Sequence, residues 1–366
     1  MTQQALLTPV RLGPYELRNR VVMAPMTRDR ADNPELAPTA MHVEYYAQRA
    51  SAGLIVSEGS PISPQGTGYI YTPGIYSQPQ VKGWEQVTDA VHARGGRIFL
   101  QLWHVGAISH PDFHGGALPV SASAFNPKTK AYTPKGQLQE TVTARPLEQD
   151  EVKQVVKDFA QGAKNAMAAG FDGVEIHGAN SYLIEQFLRD SSNRRTDEYG
   201  GGIPNRARFL LEVVEAVSKA AGAERTGLRL SPANTWNVPA DSDTRALYDY
   251  AIAKLNDFSL AYLHLREPAG DVSAIPNMVA NVTEHYRGIY KGTLITNTAY
   301  DRDKGNAAID KGHADLVAFG VPFIANPDLV ERFRAGAPLS TPDQATFYTP
   351  GAKGYTDYPE LKAAAA

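Results

Sequence analysis

Three side chains with complementary hydrogen-bonding chemistry lie within a short stretch that follows a strand-like run at residues 174–176. They are His177, Asn180 and Tyr182. An imidazole and a carboxamide can both donate hydrogen bonds to one carbonyl oxygen, and a phenol can supply a proton beside it. This combination is suited to the reduction of an electron-poor carbon–carbon double bond.

The composition excludes several classes of function. The chain of 366 residues has no cysteine, which rules out disulfides, thiolate-bound zinc, a thiol nucleophile and an iron–sulfur cluster held by this chain. The net charge of −3 gives no reason to expect nucleic acid or a membrane as partner, and no apolar run is long enough for a membrane span. No secretory signal is visible, so a cytoplasmic location is expected. Redox chemistry would depend on an organic cofactor or a metal without thiolate ligands.

Eight apolar runs of strand length are each followed by a segment of helical periodicity. The predicted strands cover residues 21–25, 54–58, 97–103, 173–177, 226–231, 261–265, 293–296 and 314–319. The predicted helices cover residues 40–52, 80–94, 149–169, 205–221, 244–257, 272–287, 301–311 and 327–335. Eight such units predict an α/β fold, the TIM (β/α)8 barrel, as a single domain over residues 1–366. A doubly wound open sheet is the alternative, but no Gly-x-Gly-x-x-Gly fingerprint opens the first unit.

Two segments lie outside the repeat. Residues 10–17 predict an N-terminal β-hairpin with a Gly-Pro turn, which would close the bottom of the barrel. Residues 104–146 form an insertion after the third strand, far longer than an ordinary connection. Because active sites of such barrels lie at the C-terminal ends of the strands, we expect this insertion to cap the site.

The residues at the predicted strand ends are polar and chemically mixed. They lack the carboxylate pair of a glycosidase, since Glu175 is expected to point away from His177 toward the helices. They also lack the clustered ligands of a metal hydrolase and the lysine of a Schiff-base enzyme. These strand-end residues instead fit a planar heterocycle. Thr27 and Gln101 can hydrogen-bond to its carbonyl and nitrogen atoms, and Arg229 can stabilise negative charge on it.

Several motifs resemble those of the old yellow enzyme family, the FMN-dependent ene-reductases. They occur in the family's order over nearly the whole chain, at residues 24–28, 44–50, 101–104, 174–188, 193–201, 325–329 and 354–359. The resemblance implies an FMN-binding TIM barrel that takes hydride from NADPH or NADH and passes it to an activated alkene. A monomer or a homodimer is expected.

The resemblance also implies roles for individual residues. Those expected to hold FMN are Pro25, Met26, Thr27, Gly59, Gln101, His177, Arg229, Asn297, Thr298, Phe319 and Gly320. His177 and Asn180 would bind the substrate carbonyl, and Tyr182 would give the proton. Tyr69, Trp103 and Tyr355 would contact the substrate as walls of the pocket, and no metal ligand is expected.

The chain departs from the family pattern near the expected phosphate. Val321 follows Gly320 where family members usually have an arginine, and Ala107 replaces another arginine. A more Gly-rich turn is replaced at residues 296–298. Losing one charge-assisted hydrogen bond costs about 1.5–3 kcal/mol, so we expect FMN to bind less tightly than usual.

Three other functions remain open on the sequence. One is a quinone or nitro-compound reductase that uses the same site, and another is a non-catalytic flavin-binding barrel. A metal-dependent hydrolase around His110 and His114 is the weakest alternative, because their loop lacks helical support.

Arg266 and Glu267 are predicted to form a salt-bridged loop.

Overall fold

Eight parallel strands close into a barrel in the computed structural model, which describes residues 4–239 and 241–361. The strands of the molecule are β1 (Val10–Leu12), β2 (Tyr15–Leu17), β3 (Val21–Met23), β4 (Leu54–Pro61), β5 (Ile98–Trp103), β6 (Val120–Ser121), β7 (Lys130–Tyr132), β8 (Leu138–Glu140), β9 (Arg145–Pro146), β10 (Gly173–His177), β11 (Thr226–Leu230), β12 (Tyr262–Arg266), β13 (Leu294–Asn297) and β14 (Leu316–Phe319). The barrel order is β3-β4-β5-β10-β11-β12-β13-β14, and β14 pairs with β3. The predicted TIM barrel is confirmed.

Helices follow the strands and cover the outside of the barrel. They are α1 (Ala40–Gln48), α2 (Gln78–Ala93), α3 (Gln149–Ala168), α4 (Leu183–Leu188), α5 (Ile203–Ala221), α6 (Thr244–Leu255), α7 (Val282–Arg287), α8 (Arg302–Asp310), α9 (Val321–Ala325) and α10 (Leu329–Ala335). In α3, Val152, Val155 and Phe159 recur at helical spacing and are buried against the strands. A capping box formed by Glu148 and Glu151 begins that helix.

One predicted helix is mostly wrong. Of residues 272–287, only the last six form a helix, α7, and the preceding residues are a loop. Pro276 has no backbone N–H to donate, and Asn277 has a left-handed φ of 58°. The apolar periodicity of this segment is real, but these two residues prevent the backbone from following it.

The interior of the barrel is filled at the N-terminal ends of the strands. Val22, Leu54, Phe99 and Tyr262 belong to one buried cluster there. The antiparallel hairpin β1–β2 contributes Leu12 and Leu17 to the same cluster, so it closes the bottom as predicted. The open end of the barrel is therefore the one at the C-terminal ends of the strands.

The long connection after β5 carries four short strands. β6 pairs with β9, and β7 pairs with β8 as an antiparallel hairpin. Tyr132 and Leu138 on that hairpin are 49% and 60% exposed, and both line the cavity described below.

In the described residues, no helix has the length and apolar character that a membrane span requires.

Candidate active site

A cavity of about 960 Å³ opens at the C-terminal ends of the barrel strands. The structure brings to its wall most of the residues that the sequence pointed to: Pro25, Met26, Thr27, Gly59, Tyr69, Gln101, Trp103, His177, Asn180, Tyr182, Arg229, Asn297 and Gly320. These residues are far apart in the chain and follow different strands, so closure of the barrel is what assembles them.

Three predicted site residues do not line this cavity. Tyr355 is fully buried and stacks on Tyr45, with ring centroids 4.0 Å apart. The structure therefore does not place Tyr355 in the substrate wall. The ring of Phe319 packs against Phe333, and Thr298 lies just beyond the lining residues. A contact from the backbone of Phe319 or Thr298 to FMN stays a prediction.

Tyr348 lines the cavity instead, although the sequence analysis did not single it out. Its side chain is 62% exposed and belongs to the segment of residues 343–361, which returns to the loop after β3. Arg28 and Arg30 hold this segment by donating to its backbone carbonyls at 2.7 and 2.8 Å. The adjacent aromatic residues at 347–348 were the only sequence signal, and their position depends on these long-range contacts.

His177 is a neutral hydrogen-bond donor at the end of β10. Its Nδ1 accepts the backbone N–H of Ala179 at 3.3 Å, which leaves the proton of the neutral ring on Nε2. Burial lowers the pKa of His177 well below its ordinary value, and the nearby cations Arg229 and Arg266 lower it further, as does His264. The imidazole can therefore donate from Nε2 without carrying charge.

Asn180 lies in a strained loop that a buried network holds in place. Asn180 and Ser181 have left-handed φ values of 60° and 65°, a conformation that costs about 1–3 kcal/mol for residues other than glycine. The N–H of Asn180 donates to Ser231 Oγ at 2.9 Å, and that hydroxyl donates to Glu185 Oε2 at 2.8 Å. The same carboxylate accepts the N–H of Ser181 at 2.8 Å. This network fixes the backbone that presents Asn180 to the cavity.

Tyr182 lies beside these donors at the start of α4. Its hydroxyl shares a hydrogen bond of 3.0 Å with the hydroxyl of Tyr69, and its ring packs edge-on against Trp103. Burial raises the pKa of Tyr182 well above its ordinary value. The phenol therefore keeps its proton at neutral pH and can give it to a substrate atom in the cavity.

Glu175 occupies the floor of the site, which corrects the expectation that it faces the helices. Its Oε1 accepts from Gln101 Nε2 at 2.7 Å, and its Oε2 bonds His264 Nδ1 at 2.8 Å. Residues two apart in a strand point to the same side, so Glu175 and His177 both face the barrel interior. Burial by itself would raise the pKa of Glu175. His264 and, to a smaller extent, Arg229 lower it by more, so the pKa of Glu175 lies below its ordinary value.

Free backbone N–H groups lie in and beside the part of the cavity wall that Asn297 and Gly320 form. Within the described residues, the N–H groups of Thr298, Ala299, Gly320 and Val321 donate to no protein acceptor. Thr298 and Ala299 have left-handed φ values of 88° and 60°, so this turn keeps a conformation that favours glycine. Several unpaired N–H groups at one place suit the oxygens of a phosphate.

Two polar side chains of the cavity wall, Gln101 and Arg229, suit the polar edge of a flavin. Arg229 is 6% exposed, yet its Nε has no hydrogen-bond partner in the described residues. The amide of Gln101 points its nitrogen at Glu175, which leaves its oxygen free to accept from a ring N–H. Free backbone donors for a phosphate, together with donor and acceptor side chains for the edge of the ring, fit flavin mononucleotide.

The histidines of the long connection are engaged within their own loop. His110 Nδ1 accepts the N–H of Asp112 at 3.2 Å, and His114 Nε2 bonds Ser109 Oγ at 2.9 Å. Across the part of the chain that the structure describes, no three His, Cys, Asp or Glu side chains are grouped to hold a metal ion. Nothing in these contacts favours the metal-dependent hydrolase.

Comparison with known proteins places this site among flavoenzymes. A family model described as the NADH:flavin oxidoreductase / NADH oxidase family matches residues 5–340. The chain is 45% identical over 361 residues to 12-oxophytodienoate reductase 1 of Oryza sativa subsp. japonica, which covers 98% of this chain and 93% of that protein. It is 42% identical over 376 residues to 12-oxophytodienoate reductase 2 of Arabidopsis thaliana, with 98% and 96% covered.

Two solved structures are similarly close. Morphinone reductase in complex with tetrahydroNAD has 47% identity and a TM-score of 0.92, and the match covers 98% of both chains. An old yellow enzyme homologue from Zymomonas mobilis has 42% identity and a TM-score of 0.93, covering 98% of this chain and 100% of that one. At these identities the likeness extends beyond the fold to membership of the family.

Proposed function

This chain belongs to the NADH:flavin oxidoreductase / NADH oxidase family, the old yellow enzyme family, and from that premise we propose how its residues reduce an activated alkene. It is an FMN-dependent oxidoreductase that uses NAD(P)H. FMN held in this cavity would supply the hydride transfer from the nicotinamide to the β-carbon of the alkene. The remaining chemistry depends on the side chains of the cavity.

The observation that carries the proposal is the pair of neutral donors beside a protonated phenol. Neutral His177 donates from Nε2, and Asn180 offers a carboxamide N–H; both line the same cavity. The substrate oxygen accepts from both groups, which orients the double bond and withdraws electron density from it. Negative charge develops on that oxygen during hydride transfer, and each such donor is typically worth about 2.7–4 kcal/mol of the barrier.

Tyr182 completes the reaction by giving its hydroxyl proton to the α-carbon. The raised pKa of this buried phenol keeps the proton in place until carbanion character develops next to it. Tyr69, at 3.0 Å, holds the hydroxyl and restricts its rotation. Trp103, 2% exposed, covers the neighbouring wall and helps to exclude water.

The residues that would hold FMN divide between its two ends. Gln101 and Arg229 would hydrogen-bond to the polar edge of the ring. The ring would also contact Pro25, Met26, Thr27 and Gly59. The phosphate would accept hydrogen bonds from the backbone at Asn297, Thr298 and Gly320. Arg229 is buried beside Glu175, and burial lowers its pKa to about 10, so it keeps its charge at neutral pH. A permanent cation here favours a ring that carries extra electrons.

The substrates we propose are α,β-unsaturated carbonyl compounds, maleimides and nitroalkenes. Each has an oxygen conjugated to the double bond, as the two donors require. The names of the relatives, 12-oxophytodienoate reductase and morphinone reductase, refer to ketones and support this choice. The apolar side chains at the cavity mouth, Tyr132, Leu138 and Tyr348, suit a substrate with a hydrocarbon body.

An anaerobic absorbance experiment tests the proposal. FMN-loaded protein is expected to lose its yellow colour with NADPH and to regain it when cyclohexenone is added. Cyclohexanone, which has the carbonyl but no double bond, is the control and leaves the protein colourless. Recovery only with quinone or oxygen would favour the quinone reductase, and a colour that NADPH never bleaches would contradict both.

A further inference from the structure

Among the residues that the structure describes, the carboxamide of Asn180 has one hydrogen-bond partner, and that partner is a cation. Arg266, the last residue of β12, donates from Nη1 to Asn180 Oδ1 at 3.1 Å. A guanidinium has only donors, so the oxygen of the amide must face Arg266 and the nitrogen must face away. Within the described residues, Asn180 Nδ2 donates to no protein acceptor, although Asn180 lines the cavity.

This orientation decides what Asn180 can do. The terminal torsion of an asparagine side chain is broad, and a half-turn exchanges its oxygen and its nitrogen. With the nitrogen toward the cavity, the amide donates to a substrate oxygen; with the oxygen toward the cavity, it repels one. The bond from the Asn180 N–H to Ser231 holds the backbone but leaves this torsion free.

The Arg266 guanidinium makes no other hydrogen bond or ion pair within the described parts of the chain. No carboxylate of the described residues lies within 4.0 Å of its guanidinium, although the sequence predicted a salt bridge with Glu267. Glu267 instead accepts the backbone N–H groups of Val282 and Thr283 at 2.9 and 2.8 Å. The prediction of a salt-bridged loop is therefore wrong, and the guanidinium donates instead to Asn180 Oδ1.

We propose that Arg266 is a positioning residue of the alkene-reducing site, which holds the Asn180 carboxamide with Nδ2 toward the substrate oxygen. The inference rests on the proposed role of Asn180 in binding that oxygen. Arg266 does not line the cavity, so it acts through Asn180 and not on the substrate itself.

A double-mutant cycle on the holoenzyme tests this role. Arg266→Met removes the donors and keeps the length of the side chain, and Arg266→Lys keeps a donor and the charge. We expect Arg266→Met to slow reoxidation by cyclohexenone about ten- to 150-fold, the range of a lost hydrogen bond to a charged group. Arg266→Lys is expected to retain most of the rate. In the Asn180→Ala background, Arg266→Met is expected to change the rate less than about twofold, because the two residues act as one unit.

A binding measurement separates positioning from a general loss of structure. The affinity of the oxidised holoenzyme for cyclohexanone, measured by calorimetry, is expected to fall with Arg266→Met by a factor similar to that of the rate. The affinity for FMN and the thermal midpoint are expected to stay near those of the parent protein. Arg11→Met is the matched control, since Arg11 is exposed on the hairpin at the opposite end of the barrel. If Arg266→Met does not fold, Arg266→Leu replaces it with the same expected losses, because leucine has no donor for Asn180 Oδ1.

The outcomes distinguish the inference from its premise. Equal losses from Arg266→Met with and without Asn180→Ala would show that Arg266 acts independently and would overturn the proposal. So would an unchanged affinity for cyclohexanone. A fully active Asn180→Ala variant would also overturn the proposal, because Asn180 would then have no role for Arg266 to support. Failure of the parent protein to be reoxidised by cyclohexenone would instead contradict the proposed function.

Discussion

Gln101 Nε2 donates a 2.7 Å hydrogen bond to Glu175 Oε1, joining the neighbouring strands β5 and β10 inside the barrel. Both side chains are buried, and the carboxylate also bonds His264. The contact leaves the oxygen of Gln101 as the free end of its amide. One carboxylate below the pocket thus determines which atom of Gln101 is available to a cofactor above it.

Replacing Glu175 by leucine is expected to destabilise the protein. The change removes the carboxylate from Gln101, His264 and the buried cation Arg229, and breaking a buried pair in this way costs about 3–5 kcal/mol. The free energy of unfolding of the apo-protein, from urea titration, measures the loss. Glu215→Leu is the control, because Glu215 forms an exposed pair with Lys219 worth at most about 1 kcal/mol. A loss at position 175 no larger than that of the control would contradict this account.

Substituting phenylalanine for Tyr182 is expected to slow alkene reduction by about 10²–10⁴-fold, the range for loss of a general acid. Reduction of the enzyme by NADPH needs no proton from this residue and is expected to continue near its normal rate. Stopped-flow measurement of the two half-reactions separates the effects. Tyr69→Phe is the comparison variant, since it removes the hydrogen-bond partner and leaves the phenol of Tyr182 in place. Equal slowing of both half-reactions by Tyr182→Phe would exclude the assigned role.

Val321→Arg is expected to tighten FMN binding. Val321 is 50% exposed at the cavity edge, so a longer side chain has room there. A new charge-assisted bond to the phosphate is worth about 1.5–3 kcal/mol, or at least about tenfold in affinity. Flavin fluorescence quenching during titration of the apo-protein gives the dissociation constant. Riboflavin, which lacks the phosphate, is the control ligand, and an equal gain for riboflavin would mean that the arginine does not contact phosphate.

Stability is expected to depend on pH through Glu58. Burial raises the pKa of Glu58 to about 8 from its ordinary value of 4.5, and the nearby Asp29 adds to this. Below that ordinary value the carboxyl is protonated in both states. As the pH rises toward 8, the unfolded chain ionises while the folded protein keeps the proton, so the free energy of unfolding falls.

Glu58→Gln removes this titration. The free energy of unfolding of the variant is expected to fall less steeply than that of the parent protein between pH 4.5 and pH 8. Denaturant titrations at a series of pH values measure the slope. Glu215→Gln, on the exposed face of α5, is the control and is expected to leave the slope unchanged. Identical slopes for the parent and Glu58→Gln would mean that the carboxyl ionises freely in the folded state.

The sequence was most informative where local pattern decides the structure. The barrel strands were found because buried parallel strands are runs of Val, Ile, Leu and Phe, and residues 173–177 match β10 exactly in extent. The positions of His177, Asn180 and Tyr182 follow from that strand end. Arg266 shows the limit: its partner Asn180 is 86 positions away in the chain, and no local pattern indicates that contact.

Two errors have simple physical causes. The expected direction of Glu175 is wrong because side chains alternate with every residue of a strand, so Glu175 and His177, two residues apart, face the same side. Tyr355 was expected at the pocket because it is a terminal aromatic in a motif. Its stacking on Tyr45 and the cations Arg28 and Arg30 beside it draw its ring into the interior.

The anchoring of residues 343–361 by Arg28 and Arg30 has a consequence for biosynthesis. Once β14 has been synthesised, the nascent chain has every strand of the barrel. At that stage Arg28 and Arg30 still lack the backbone carbonyls of residues 343–361 that they bind in the folded protein. Tyr348 reaches the cavity only when that later stretch has emerged and docked. FMN can therefore enter a cavity with all its walls in place only after residues 343–361 have been synthesised and have docked.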